Sequence, residues 1–241
     1  MASGSGYTDY RNNVVYNWGY QNLYGGEKYQ QGSEKFNFSI FNIVANYYKP
    51  GPATQPGEVS YRIANPSFRD ETSDFGQWYI AENHIEGNPD VSNNNWNGGV
   101  QTEISDAKIK LEKPWPSMPI DQQTAREAYE LVLAKAGATL PKRDEIDERI
   151  INEARGGYAT FEGISYKKEH QVADPEKISG IIDTQADVGG WPELKNAPAP
   201  VDTDHDGMPD EWESKNGLDP ENADDRNRIG EDGYTLSLIH I

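Results

Sequence analysis

The run I-V-A-N-Y-Y at residues 43–48 places an asparagine after a short apolar segment and before two aromatic residues. Similar runs lie on either side, V-V-Y-N-W at residues 14–18 and Y-I-A-E-N-H-I at residues 79–85. Short β-branched and aromatic runs that end at turn residues are typical of strands. Their asparagines, Asn17, Asn46 and Asn83, recur at intervals of 29 and 37 residues. Unequal intervals favour stacked coils of fixed cross-section, because insertions in a solenoid project from one side while the strands keep their register.

Asparagines at equivalent turns of such coils could stack on one another. An asparagine at a turn can adopt the left-handed conformation, and its side-chain amide can hydrogen-bond to the asparagine of the next coil. The pattern therefore predicts an all-β fold for residues 1–105, in the form of a partial parallel β-helix. Asparagine-rich loops in a sandwich or a barrel would give the same composition, so the pattern alone leaves that alternative open.

Residues 106–159 change in composition to Ala, Glu, Lys and Leu and are predicted to be helical. Before the two predicted helices, the run K-P-W-P-S-M-P at residues 113–119 favours extended chain, because its prolines forbid a helix. One helix is predicted to begin at Asp121 and to end at a left-handed Gly137, and a second to run from Asp144 to Gly156. Both are interpreted as packing elements of the fold.

Residues 160–241 are predicted to form a loop-rich tail that contains one calcium loop. The stretch D-T-D-H-D-G-M-P-D-E-W-E at residues 202–213 fills every ligand position of the twelve-residue calcium loop. Hard oxygen ligands in this number favour Ca²⁺ over Zn²⁺ and Mg²⁺. The candidate ligands are the carboxylates of Asp202, Asp204, Asp206, Asp210 and Glu213 and the backbone carbonyl of Met208.

A solvated acidic linker is the alternative interpretation of this stretch. Such a linker has no need of Gly207 at loop position six or of Glu213 at position twelve, so the metal interpretation is preferred. Because the segment at residues 196–201 is broken by prolines, no ordinary helix is expected before the loop. The site is therefore predicted as a half EF-hand that binds a structural ion. Three further acids match no second loop and are left unassigned: Asp219, Asp224 and Asp225.

Composition argues against several classes of partner. The net charge of −18, from 40 acidic and 22 basic residues, would repel nucleic acid and anionic lipid surfaces. The chain has no cysteine, which excludes disulfides, a thiol nucleophile and a thiolate zinc site. No apolar stretch is long enough to span a membrane, and residues 1–6 are too short and polar for a signal peptide.

Several segments together resemble bacterial pectate lyases of polysaccharide lyase family 1, in the order found in that family and over most of the chain. The resemblance implies a right-handed, single-stranded parallel β-helix, secretion or cell-surface location, Ca²⁺ dependence, and β-elimination of pectate (polygalacturonate) by an arginine base. Calcium would then neutralise an anionic substrate that this acidic chain cannot itself attract. The segments are R-N-N-V-V-Y-N-W (11–18), Y-G-G-E (24–27), N-Y-Y-K-P-G-P-A-T (46–54), A-G-A-T-L-P-K-R-D (136–144) and D-T-D-H-D-G-M-P-D-E-W-E-S-K-N-G-L-D-P (202–220).

The sequence also departs from the family pattern. In the family, the acidic ligands of catalytic calcium, the catalytic lysine and an R-x-P-R arginine precede the strand that here begins near Asp9. None of those motifs is present in this sequence, so no catalytic residue is carried over. The chain is expected to be a monomeric, C-terminal fragment without activity of its own. The run L-S-L-I-H-I at residues 236–241 resembles a translated sequencing adapter.

Substrate contacts are expected at Trp18, Tyr24 and Glu27, because the turn at Gly25 and Gly26 interrupts the strand pattern there. An alternative function is a noncatalytic, calcium-dependent carbohydrate-binding or cell-surface module. Aromatic rings near loop ends could stack on sugars in such a module, or they could instead belong to the solenoid core. These rings are Trp18, Tyr20, Tyr24, Tyr47 and Tyr48.

Overall fold

The computed structural model describes residues 6–28, 38–68, 74–139, 142–193 and 197–239. Three of the sequence segments lie partly outside these described residues: 136–144, 196–201 and 236–241. The described chain divides into two compact units, Met1–Trp191 and Pro192–Ile241. The division predicted at residues 105 and 159 stays a prediction.

The first unit contains three small sheets in which every strand pair is parallel. Successive strands of the chain visit the three sheets in turn, as expected for a coil. Isolated parallel bridges from Ala64 to Val100 and from Trp78 to Lys110 continue the stack. The strands of the first sheet are β1 (Gly6–Arg11), β4 (Ser39–Val44) and β7 (Gln77–Ala81); of the second, β2 (Val14–Tyr16), β5 (Tyr47–Lys49) and β8 (His84–Ile85); and of the third, β3 (Leu23–Gly25) and β6 (Ala64–Pro66).

This arrangement is compatible with the predicted partial parallel β-helix. The right-handed sense of winding stays a prediction.

A ladder of asparagines lies at the corner between the first and second sheets. Asn46 Oδ1 accepts hydrogen bonds from the backbone and side-chain amides of Asn13, both at 3.0 Å. Asn83 Oδ1 accepts hydrogen bonds from the backbone and side-chain amides of Asn46, at 3.0 and 2.9 Å. Asn95, which follows the short helix α1 (Pro89–Asn93), accepts from Asn83 in the same way and ends the ladder within the described chain.

The ladder corrects two details of the sequence prediction. Asn13, not Asn17, is the member below Asn46, because β2 pairs with β5 in a register that places Val14 beside Tyr47. Asn17 instead donates to the carbonyl of Ser179 at 2.9 Å and accepts from Ala53 at 2.7 Å. The left-handed residue of each corner is the one before the ladder asparagine, with φ of 53° at Asn12, 53° at Ala45 and 61° at Glu82.

Aromatic and branched side chains fill the interior of the coils. The rings of Phe41 and Trp78 stack with centroids 4.0 Å apart, and Trp18 meets Tyr48 edge to face at 6.2 Å. Ile43 and Ile63 of this core have no exposed surface. Burial of apolar area in the core is the main favourable contribution to stability of the coils.

The two predicted longer helices are present and pack beside the coils. α3 (Ala125–Lys135) begins later than predicted, because Thr124 and Glu127 form a capping box that sets its first turn. α4 (Glu145–Gly156) has Asp144 as its N-cap and a left-handed Gly157 after its last residue. The ring of Tyr129 in α3 stacks on Tyr47 of β5 at 4.2 Å.

Short elements complete the described chain. The first unit also contains α2 (Asp106–Ile109) and α5 (Tyr166–Glu169). The second unit contains α6 (Asp210–Lys215), a 3-10 turn (Asp225–Asn227) and α7 (Leu236–Ile239). None of the helices among the described residues has the length and apolar character needed to cross a membrane.

Candidate metal centre

The loop before α6 holds three aspartates by hydrogen bonds to its own backbone. Asp202 Oδ2 accepts from the amide of Gly207 at 3.1 Å, and Asp204 Oδ1 accepts from the amide of Asp206 at 3.1 Å. Asp206 Oδ1 accepts from the amide of Met208 at 2.8 Å. The chain can turn this tightly because His205 and Gly207 are left-handed, with φ of 59° and 94°. One oxygen of each aspartate is thereby fixed to the loop.

The second oxygen of each aspartate is buried without a hydrogen-bond partner: Asp202 Oδ1, Asp204 Oδ2 and Asp206 Oδ2. The three residues can offer carboxylate oxygens that lie within 4.8 Å of one another. Buried carboxylate oxygens that lack partners are strongly unfavourable unless a cation or a proton compensates them. The loop therefore presents a converging set of hard oxygen donors.

Glu213 extends this set from the first turn of α6. Its side chain has no exposed surface, and neither Oε1 nor Oε2 has a hydrogen-bond partner. Glu213, Asp206 and Asp225 form a second group whose ligand atoms lie within 4.8 Å of one another. Asp206 belongs to both groups, so the two sets are adjacent.

The electrostatics of the cluster disfavour its full ionisation. Burial, followed by the charges of Asp204 and Asp206, raises the pKa of Glu213 to about 7. Burial, followed by the charges of neighbouring aspartates, also raises the pKa of Asp204. Within the described parts of the chain, none of these acids forms an ion pair with a lysine or an arginine. A divalent cation would relieve this repulsion, and carboxylate oxygens in this number fit Ca²⁺.

Asp210, at loop position nine, is engaged differently. Its Oδ1 accepts from the amide of Thr203 at 2.7 Å, and its Oδ2 accepts from the Thr203 hydroxyl at 2.7 Å. These hydrogen bonds, first from the side chain and then from the backbone of Thr203, hold the pKa of Asp210 below its usual value. Asp210 thus ties the start of the loop to the start of α6. Metal ligation by Asp210 and by the Met208 carbonyl stays a prediction.

The structure therefore brings together four of the predicted ligands and adds Asp225. The twelve-residue pattern cannot reveal Asp225, because its position depends on the turn that follows α6. The one sequence signal is the additional acids after the helix, which match no loop spacing.

The three expected substrate-contact residues lie in different environments. Trp18 is 6% exposed, and its indole N–H donates to the carbonyl of Val59 at 3.0 Å. Glu27 is 9% exposed and accepts from the Ser67 hydroxyl at 2.6 Å. Tyr24, in contrast, is 57% exposed on β3. Substrate contact by these residues stays a prediction, and Tyr24 is the member of the three whose side chain is accessible.

The other aromatic residues proposed for sugar stacking also differ. Tyr47 and Tyr48 are buried in the coils, whereas Tyr20 is 48% exposed. The guanidinium of Arg62 lies 5.0 Å from the centre of the Tyr20 ring. Tyr20 and Tyr24 are therefore the two rings of this set that a saccharide could reach.

Comparison with known proteins finds relatives that are named pectate lyases. No family model matches the chain. The chain is 28% identical over 233 residues, 96% of its length, to a protein of Aspergillus flavus named probable pectate lyase C. Proteins with the same name from Aspergillus terreus and Aspergillus fumigatus are 27% identical over 231 residues and 29% identical over 239 residues, each over 95% of this chain.

The chain spans about half the length of the curated relatives it matches, 47% of the first and 46% of the other two. These relatives are fungal, so the resemblance to bacterial members specifically stays a prediction. The similarity extends over nearly the whole chain and supports a pectate lyase family.

Proposed function

We propose that this chain is part of a secreted, calcium-dependent pectate lyase that cleaves polygalacturonate by β-elimination in pectin breakdown. The observation that carries the proposal is similarity over 96% of the chain to a protein named probable pectate lyase C. The stacked parallel strands are consistent with it, since they form an extended scaffold on which a polymer could lie.

The reaction requires a base that removes the proton on C5 of a uronate while the C4–O bond breaks. Calcium, when bound between substrate carboxylates and acidic protein groups, would neutralise the uronate and acidify this proton. No residue of this chain is assigned as the base, because the sequence lacks the R-x-P-R motif of the family that it resembles. We therefore assign the coils a supporting role in the longer protein and expect the chain alone to be inactive.

A separate calcium ion in the second unit is assigned a structural role. Asp202, Asp204, Asp206 and Glu213 would hold it, since their buried oxygens have no other partner. These residues fix the loop against α6 and need not touch the substrate.

An absorbance assay for unsaturated oligogalacturonides tests the enzymatic proposal. The purified chain and a longer protein that contains it are incubated with polygalacturonate in calcium or in chelator. The longer protein is expected to release product only with calcium, and the isolated chain to release none. A longer protein without lyase activity would refute the function, and calcium-dependent product from this chain alone would refute the assignment of a supporting role.

A noncatalytic carbohydrate-binding module is the second candidate, favoured by the exposed rings of Tyr20 and Tyr24. Titration of the chain with oligogalacturonides separates this function from the first. The module would be supported if the chain binds oligogalacturonides saturably and neither the chain nor the longer protein cleaves them. The affinity is then expected to be lost in the variant Tyr24→Ala. Tyr7→Ala, at another exposed tyrosine, is the control: an equal loss of affinity in this variant would indicate nonspecific adsorption.

A further inference from the structure

Asp225 lies outside the calcium loop but in contact range of its ligands. It begins the 3-10 turn that follows α6, and it is 7% exposed. A carboxylate oxygen of Asp225 lies within 4.8 Å of ligand atoms of Asp206 and Glu213. The segment after the loop therefore returns to two of the predicted loop ligands, Asp206 and Glu213.

The two oxygens of Asp225 are used in the same manner as those of the loop aspartates. Its Oδ2 accepts from the amide of Asp219 at 3.1 Å, which fixes the carboxylate to the segment between α6 and the 3-10 turn. Its Oδ1 is buried and has no hydrogen-bond partner. Asp206 and Glu213 also have buried oxygens without partners in this group. A single cation at their centre would satisfy all three oxygens at once.

The engagement of Asp210 leaves a ligand position to fill. Both oxygens of Asp210 accept hydrogen bonds from Thr203, so one lone pair of each oxygen is occupied within the loop. Asp225 supplies a fixed carboxylate from outside the loop. Calcium accepts six to eight oxygen ligands in flexible geometry, so a ligand from a distant position is chemically ordinary.

We propose that Asp225 is a direct ligand of the calcium ion, in place of the position-nine residue Asp210. The proposal rests on the calcium site of the proposed function and extends it beyond the loop. The bound ion then links the loop before α6 to the turn after it, and calcium orders the chain as far as Asp225.

Isothermal titration calorimetry on the full chain, with calcium added after treatment with chelator, tests the proposal. Asp225→Asn keeps the shape and an acceptor for the Asp219 amide but removes the charge. The control is Asp224→Asn, an adjacent exposed acid outside both groups. The dissociation constant is expected to rise by about tenfold or more in Asp225→Asn and to change by less than about twofold in Asp224→Asn. Asp202→Asn serves as the reference for loss of a loop ligand.

The outcomes separate this proposal from the calcium site itself. A wild-type chain that binds no calcium overturns both. Weak binding in Asp202→Asn together with wild-type binding in Asp225→Asn overturns the role of Asp225 alone.

Trypsin gives a second measurement that does not depend on the folding of a variant. Arg226 and Arg228 are exposed immediately after Asp225. Calcium is expected to slow cleavage after Arg226 in the wild-type chain, because the ion holds the turn that contains it. Cleavage at an unchanged rate when the loop is saturated with calcium would overturn the proposal.

Discussion

Replacement of Asn83 by alanine removes the central buried member of the asparagine ladder. Asn83 is 1% exposed, and its Oδ1 accepts both amides of Asn46. Its Nδ2 donates to Asn95 Oδ1 and to the carbonyls of Ile43 and Ala81. Its φ is not in the left-handed region, so alanine adds no backbone strain.

The magnitude follows from the groups that lose their partners. The side chain of Asn46 keeps a bond to the carbonyl of Tyr10, but its backbone amide loses its acceptor in a site with no exposure. One such buried donor costs about 1–3 kcal/mol, and the other lost hydrogen bonds add about 1 kcal/mol each at most. We expect the free energy of unfolding to fall by about 3–4 kcal/mol.

Asn13→Ala is the matched control at the half-exposed end of the ladder. In this variant Asn46 Oδ1 keeps the backbone amide of residue 13 as a donor. The free energy of unfolding is therefore expected to fall by about 1 kcal/mol. Urea denaturation followed by tryptophan fluorescence measures both changes from the shift of the midpoint at constant slope. A loss in Asn83→Ala no larger than that in Asn13→Ala would show that the ladder does not stabilise the coils as reasoned.

Two further predictions concern the core and the ion. Gly26→Ala is expected to destabilise more than Gly57→Ala: both residues have positive φ, but only at Gly26 would the new Cβ collide with the ring of Trp78. Strain at positive φ costs about 1–2 kcal/mol in both, and overpacking adds about 1–3 kcal/mol at Gly26, so equal urea midpoints would contradict this reasoning. Calcium at about a hundredfold excess over its dissociation constant should add about 2.7 kcal/mol to the stability of the second unit. Differential scanning calorimetry should show this gain abolished in the double variant Asp202→Ala/Asp206→Ala, and a retained gain would place the ion elsewhere.

The repeated strand pattern could be predicted from sequence because apolar runs and asparagines recur with it. The choice of Asn17 over Asn13 was wrong for a physical reason. Asn13, Asn46 and Asn83 each directly precede a strand of the second sheet, whereas Asn17 follows one. Register between strands, rather than spacing between similar residues, determines which asparagines stack. The start of α3 was also misplaced, because the capping box at Thr124 outweighs the earlier Asp121.

The convergence of Asp202, Asp204 and Asp206 was predictable because their spacing is local. Alternate aspartates in a tight turn converge whatever the rest of the fold does. Asp225 was not predictable in this way, since its approach depends on the length of α6 and on the hydrogen bond from Asp219. The hydrogen bonds from Thr203 to Asp210 likewise depend on how the loop folds, which spacing alone does not decide.

Lys49 of β5 sets a limit on how far the chain could be shortened. Its ammonium donates to the carbonyl of Arg155 at the end of α4, lies 3.2 Å from Glu86, and faces the ring of Tyr129 at 5.7 Å. Deletion of the two helices would remove two of the three neighbours of Lys49 and would uncover the ring of Tyr47, on which Tyr129 stacks. A truncated version that ends after the coils is therefore a poor candidate for expression, and one that retains both helices is the better starting point for crystallisation.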